Sequence, residues 1–140
     1  MKELTLKQLA EKMKGIDIAM LSTITDAGWI AGCPMSNNGE VDYDGTSYYF
    51  TFDQSRTVAD IRRNDKVSLA FQGTQSKSFS VSVEGKAKLV EDKKQMADHW
   101  TPDLDRWFKD GLDTPGIVMI QVDAKRIHYW AGEDDGEVKV

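Results

Sequence analysis

The aromatic run Tyr48-Tyr49-Phe50-Thr51-Phe52 is followed, two residues on, by Ser55-Arg56-Thr57. Consecutive aromatics and threonine have the chemistry of a β-strand, and the triplet sets two hydroxyls and a guanidinium at a helix start. Together they predict a phosphate seat beside a flat apolar wall. A ligand with both a terminal phosphate and a large conjugated ring, such as a flavin mononucleotide, would use both parts.

Those residues need elements that hold them in place. Leu6, Leu9, Ala10 and Met13 fall on one stripe of a helix predicted from Thr5 to Lys14, with Thr5 as N-cap and Gly15 as stop. From Ile16 to Thr25 the pattern alternates, placing Ile16, Ile18, Met20 and Ile24 on one strand face. Asp26-Ala27-Gly28 then turns the chain into a returning strand from Trp29 to Met35, and Asn37-Asn38-Gly39 makes a further tight turn. Val41 and Tyr43 suggest a short extension before the aromatic strand, Thr46 to Phe52. The segment Ser55 to Asn64 reads as a short helix with Val58 and Ile61 inward and Arg62 and Arg63 at its carboxyl end.

Val67, Leu69 and Phe71 alternate, as do Phe79, Val81 and Val83 beyond a polar loop from Gly73 to Ser78. Gly85 marks a bulge or bend before Ala87, Leu89 and Val90. Helical pieces are expected over Glu91 to Trp100 and Asp103 to Lys109, broken at Thr101-Pro102. Two last strands, Ile117 to Val122 and Arg126 to Trp130, are expected around a connection at Asp123-Ala124-Lys125, followed by an exposed or loosely held acidic tail from Gly132. Many short strands with few helices between them exclude a parallel βαβ architecture and predict a closed antiparallel barrel.

The 140 residues are read as one domain, ordered despite a hydrophobic fraction of 40%. Eighteen basic against 23 acidic residues give a formal charge of -5, which argues against a broad nucleic-acid surface. Cys33 is the single cysteine, so neither an intrachain disulfide nor a multi-thiol zinc site is expected. His99 and His128 are too few for a histidine-rich metal centre. No apolar run approaches a membrane span, the amino terminus lacks a secretory core, and the cytoplasm is the expected location.

Ala31-Gly32-Cys33-Pro34-Met35-Ser36, then Tyr48-Tyr49-Phe50-Thr51 with Ser55-Arg56-Thr57, and finally Ile127-His128-Tyr129-Trp130, resemble in order and type the FMN-binding split barrels of the pyridoxamine 5'-phosphate oxidase superfamily. The nearest branch is the general stress protein 26-like group. The resemblance runs from the first helix to Trp130. It implies a mainly β (α+β) fold, a six-stranded antiparallel Greek-key split barrel with small flanking helices. It also implies a homodimer with flavin at the subunit interface, FMN by preference and FAD as the alternative.

Carried over residue by residue, Cys33, Pro34, Met35 and Ser36 belong to the strand beside the isoalloxazine. Phe50 and Thr51 match the pair that contacts ring and ribityl chain in that family, with Tyr49 beside them as a further cofactor-binding candidate. Ser55, Arg56 and Thr57 form the phosphate seat, where a guanidinium can hold two phosphate oxygens. Gln72 and Trp130 reach across from the partner subunit. There are two departures: the full-length oxidases have Arg-Lys where this chain has Arg56-Thr57, and the stress-protein Arg-Pro-Met appears as Cys33-Pro34-Met35. Two cations are thereby absent, and moderate FMN affinity is expected. The chain also lacks the oxidases' carboxyl-terminal substrate region, which argues against vitamin B6 oxidation.

No side chain is an evident acid or base. Two readings therefore stand: a flavin-dependent oxidoreductase, and a non-catalytic flavin-binding stress or signalling protein. A deazaflavin or haem ligand is a third, the haem case lacking a persuasive histidine. Trp100 and Trp107, seven apart, read as packing residues, Cys33 as a small hydrophobe and His128 as a surface or interface residue.

Overall fold

The computed structural model describes residues 3–37, 42–73 and 79–140, so Asn38, Gly39 and Val41 of the expected turn and extension, and residues 74–78 of the expected polar loop, lie outside the described residues. The first helix, α1 (Leu6–Met13), begins on a capping box: the Thr5 hydroxyl accepts from the Gln8 N–H, and the Gln8 side chain accepts from the Thr5 N–H. Its buried Leu9 and Met13 lie over the barrel interior, and Gly15 at φ +86° lets the chain leave the helix.

Strands β1 (Ile18–Ile24) and β2 (Ile30–Ser36) form the expected hairpin, with Ile18 opposite Ser36 and Ile24 opposite Ile30. The strand β3 (Thr46–Phe52) leads into α2 (Arg56–Arg63), then β4 (Lys66–Gln72) and β5 (Phe79–Val90). The expected helices after β5 are shorter and tighter than the sequence suggests. α3 spans Lys93–Asp98, capped by the Asp92 carboxylate, and Pro102–Arg106 is a 3-10 turn that Pro102 opens. Two long-range elements complete the sheet, β6 (Ile117–Ala131) and β7 (Asp134–Val138).

All pairings are antiparallel, in the order β2-β1-β4-β5-β6-β3, with β7 also on β6. Inward side chains from every strand, among them Leu21, Met35, Tyr49, Leu69, Val83, Ile120, Ile127 and Val138, share one buried cluster. The sheet is therefore curled around a common core, a split barrel. A second cluster (Phe50, Val90, Met96, Leu104, Phe108, Ile117 and Met119) packs the outer face of β3 and the start of β6 beneath α3 and the 3-10 turn.

Two expectations are corrected. Asp123-Ala124-Lys125 is not a connection between two strands, because β6 runs unbroken through it. The irregularity is instead a bulge: Glu84 pairs with Arg126 but Gly85 with Ala124, leaving Lys125 as the extra residue. The tail is not loosely held. Gly136 and Val138 are buried while Asp135 and Glu137 face out onto His128 and Arg126, so β7 alternates properly and makes a seventh strand. Its acidic composition conceals that period of two.

Gly85 is needed for close approach, because a Cβ there would lie 2.5 Å from the Asp123 carbonyl oxygen. Gly85→Ala is expected to lower stability by about 1–3 kcal/mol through overpacking. Chemical denaturation would read this as a lower midpoint at unchanged slope.

Candidate functional site

β2 and β3 follow each other in the chain yet occupy opposite ends of the hydrogen-bonded path. Among the described residues β2 pairs only with β1 and β3 only with β6, so each has one backbone edge without a strand partner. Curling of the sheet brings these two ends to either side of a cleft of about 400 Å³, within the usual range for small-molecule sites. Cys33, Pro34, Met35 and Ser36 line one side, Tyr49, Phe50, Thr51 and Phe52 the other. Seven of the twelve candidate residues are thus brought together.

The aromatic run splits between the two faces of β3. Tyr49 enters the barrel core, whereas Phe50 joins the second cluster, edge-on to Trp100 at 5.0 Å between ring centroids. Leu104, Trp107 and Phe108 add a third wall, and Ile18 completes the rim. Leu104 and Phe108 are buried; Trp107 between them is 59% exposed. Among the described residues no charged side chain lines the cleft.

Asn37 ties the two sides together. Its Nδ2 donates to the Ile16 carbonyl at 2.8 Å, its backbone N–H donates to the Asp17 carbonyl, and its Oδ1 accepts from the Tyr49 hydroxyl at 3.0 Å. Burial pushes the Tyr49 hydroxyl pKa well up, so this group remains a donor.

The Ser55-Arg56-Thr57 triplet opens α2 next to the cleft, the Ser55 N–H donating to the carbonyl of cleft-lining Phe52. Ser55 is the N-cap, its Oγ accepting the Val58 N–H at 3.3 Å. That bond uses a lone pair and leaves the hydroxyl hydrogen to donate elsewhere. Arg56 is largely exposed, with Nε 3.8 Å from the Asp60 carboxylate. Thr57 is buried. Asp60, also buried, accepts from the Thr23 hydroxyl of β1 and from Arg63 Nη2, each at 2.8 Å.

Gln72 and Trp130 do not line this cleft. They lie on the outer face of the sheet, both paired with Ser80: Gln72 across β4–β5 and Trp130 across β5–β6. Trp130 is half-exposed, and the His128 ring, held by Asp135 at 2.7 Å, tilts against it at 4.6 Å. Cys33 is half-buried, with only a long sulfur contact to the Pro34 carbonyl. Among the described residues no group of His, Cys, Asp and Glu could hold a metal ion, and no helix is long and apolar enough to cross a membrane.

Asn37, Thr23, Asp60 and the Leu104–Trp107–Phe108 wall were not legible as site residues. Asn37 reads as a turn residue and Asp60 gives no local signal, because their partners lie far off in sequence. Trp107 carried a signal, an aromatic beside Phe108 after a proline turn, but its exposure depends on the tertiary fold.

A family model for pyridoxamine 5'-phosphate oxidase like proteins matches residues 5–140. General stress protein 26 of Bacillus subtilis (strain 168) is 30% identical over 107 residues, covering 73% of this chain and 75% of the relative. The crystal structure of a protein related to general stress protein 26, from Clostridium acetobutylicum, superposes with TM-score 0.82 at 19% identity, covering 96% of this chain and 94% of that one. The general stress FMN/FAD binding protein from Xanthomonas citri gives TM-score 0.76 at 21% identity, with coverage of 92% and 89%. These structural likenesses establish the split-barrel fold.

The buried Asp60 carboxylate depends on Thr23. Thr23→Val, which keeps the shape and removes the donor, is expected to cost about 1.5–3 kcal/mol. Urea unfolding would show it, and an unchanged midpoint would mean that water replaces the hydroxyl.

Proposed function

Because the chain belongs to the pyridoxamine 5'-phosphate oxidase like family, we propose that the cleft between β2 and β3 binds a flavin, FMN by preference with FAD as the alternative. The observation that carries this reading is the convergence of Cys33–Ser36 and Tyr49–Thr51 on one apolar cleft, with an arginine-bearing helix start beside it. The donor set fits. The cleft offers apolar side chains for a flat ring, and strand edges without a strand partner among the described residues whose N–H and C=O groups can meet polar ring atoms. Arg56, the Ser55 O–H and the first amides of α2 supply donors for a phosphate. Buried Thr57 contributes its backbone N–H.

The resemblance to an FMN/FAD binding protein supports the choice of ligand. A second copy of the chain would complete the site. Ile18, Met20 and Trp130 are each more than 40% exposed on the sheet's outer face, and a homodimer covering that face would bring Gln72 and Trp130 to the partner's cleft.

A bound flavin supplies hydride chemistry at its N5. This chain's own residues bind and orient it: Met35 and Phe50 confine the ring, the strand edges fix its plane, and Arg56 holds the phosphate end. With no Asp, Glu, His, Lys or Arg among the described residues lining the cleft, the protein's part is positional and electrostatic. The same observation favours a second reading, in which flavin is bound without turnover and alters stability or partner choice. The oxidoreductase reading requires NADH or NADPH to reduce the bound flavin with an artificial acceptor present.

Fluorescence titration of the apoprotein with FMN, FAD and riboflavin tests the ligand. FMN is expected to bind well and riboflavin poorly. Arg56→Ala should weaken FMN binding by roughly 10- to 100-fold, as loss of a charge-assisted contact worth about 1.5–3 kcal/mol implies, with riboflavin unaffected. Equal FMN affinity in the variant would remove Arg56 from the phosphate seat.

A further inference from the structure

Trp107 is a large aromatic side chain that neither buried cluster takes up. It follows the Pro102–Arg106 turn, and its backbone is fixed: both its N–H and that of Phe108 donate to the Leu104 carbonyl at 3.0 Å. Leu104 and Phe108 bury their own side chains in the second cluster, which closes without help from Trp107. The chain thus anchors both flanks of Trp107 and leaves its indole 59% exposed over the cleft. The Arg106 guanidinium lies 5.3 Å from the indole centroid, a cation–π contact that restrains the ring.

An indole held this way offers a flat apolar surface opposite Cys33–Ser36 in a cleft without charged side chains. Such a wall discriminates by shape and aromatic stacking. We propose that Trp107 is a ring-recognising residue of this cleft, stacking against a planar conjugated ring and setting the preference for flat aromatic ligands. The proposal rests on the flavin reading of the cleft and adds to it a residue at the ring end, independent of the phosphate end at Arg56.

The two ends separate in one experiment. Wild type, Trp107→Ala, Trp107→Phe and Arg56→Ala are titrated with FMN and with riboflavin, and the oligomeric state is followed by sedimentation. Loss of stacking is expected to weaken FMN and riboflavin equally in Trp107→Ala, by roughly tenfold. Trp107→Phe should recover most of the affinity, and Arg56→Ala should affect FMN alone. If Trp107→Ala binds both flavins as wild type does, the proposal fails while the flavin reading stands. If its loss of affinity tracks subunit dissociation and disappears at high protein concentration, Trp107 is an assembly contact and the proposal fails. If wild type binds neither flavin, the reading of the cleft fails first.

Discussion

The structure depends on a sheet that curls without closing. β2 and β3 are joined directly by the chain, yet the path of hydrogen bonds runs between them through four other strands. Among the described residues their facing edges have no strand partner, and backbone groups left beside apolar side chains are costly unless something supplies partners. Asn37 manages the end of this gap, meeting Ile16 and Asp17 on one side and the Tyr49 hydroxyl on the other. The opening is therefore a held geometry.

The same strand builds the core and the cleft because β3 has two working faces. Alternation sends Tyr49 into the barrel and Phe50 into the cluster under α3. The segment between β5 and β6 is thereby drawn against the outside of β3, and its Leu104 and Phe108 form a wall that a bare barrel would lack. Gly85 serves the same architecture from a distance. By admitting the Asp123 carbonyl it lets β6 bulge and run on, so that one strand holds β3 along its first half and β7 along its second.

Much of this was legible in the sequence, for local reasons. The Thr5 cap, the β1–β2 hairpin, the aromatic strand and the Ser55 helix start all announce themselves within a few residues, and the family resemblance added their assembly into a split barrel. The errors are those of reading composition where period or context decides. Acidic residues in β7 hid the inward pair Gly136 and Val138, and Asp123-Ala124-Lys125 has the polarity of a turn but the geometry of a bulge. Asp60 is spaced like a surface charge, and only its partner Thr23, 37 positions away, explains its burial. Trp107 was read as packing because exposure cannot be deduced from a residue's type.

That buried carboxylate bears on how the start of α2 can act. A carboxylate beside an anion seat would ordinarily compete for the seat's cation. Here the Thr23 hydroxyl and Arg63 approach Asp60 at 2.8 Å, whereas Arg56 stands at 3.8 Å by its Nε and is largely exposed. The near partners satisfy most of the carboxylate's demand, and the Coulomb attraction left for Arg56 is further screened by water. Asp60 then restrains Arg56 without neutralising its outward donors. Thr23, on the same Oδ2 that Arg56 faces, and Arg63, on Oδ1, together meet the carboxylate's demand and leave the outward face of the Arg56 guanidinium in solvent.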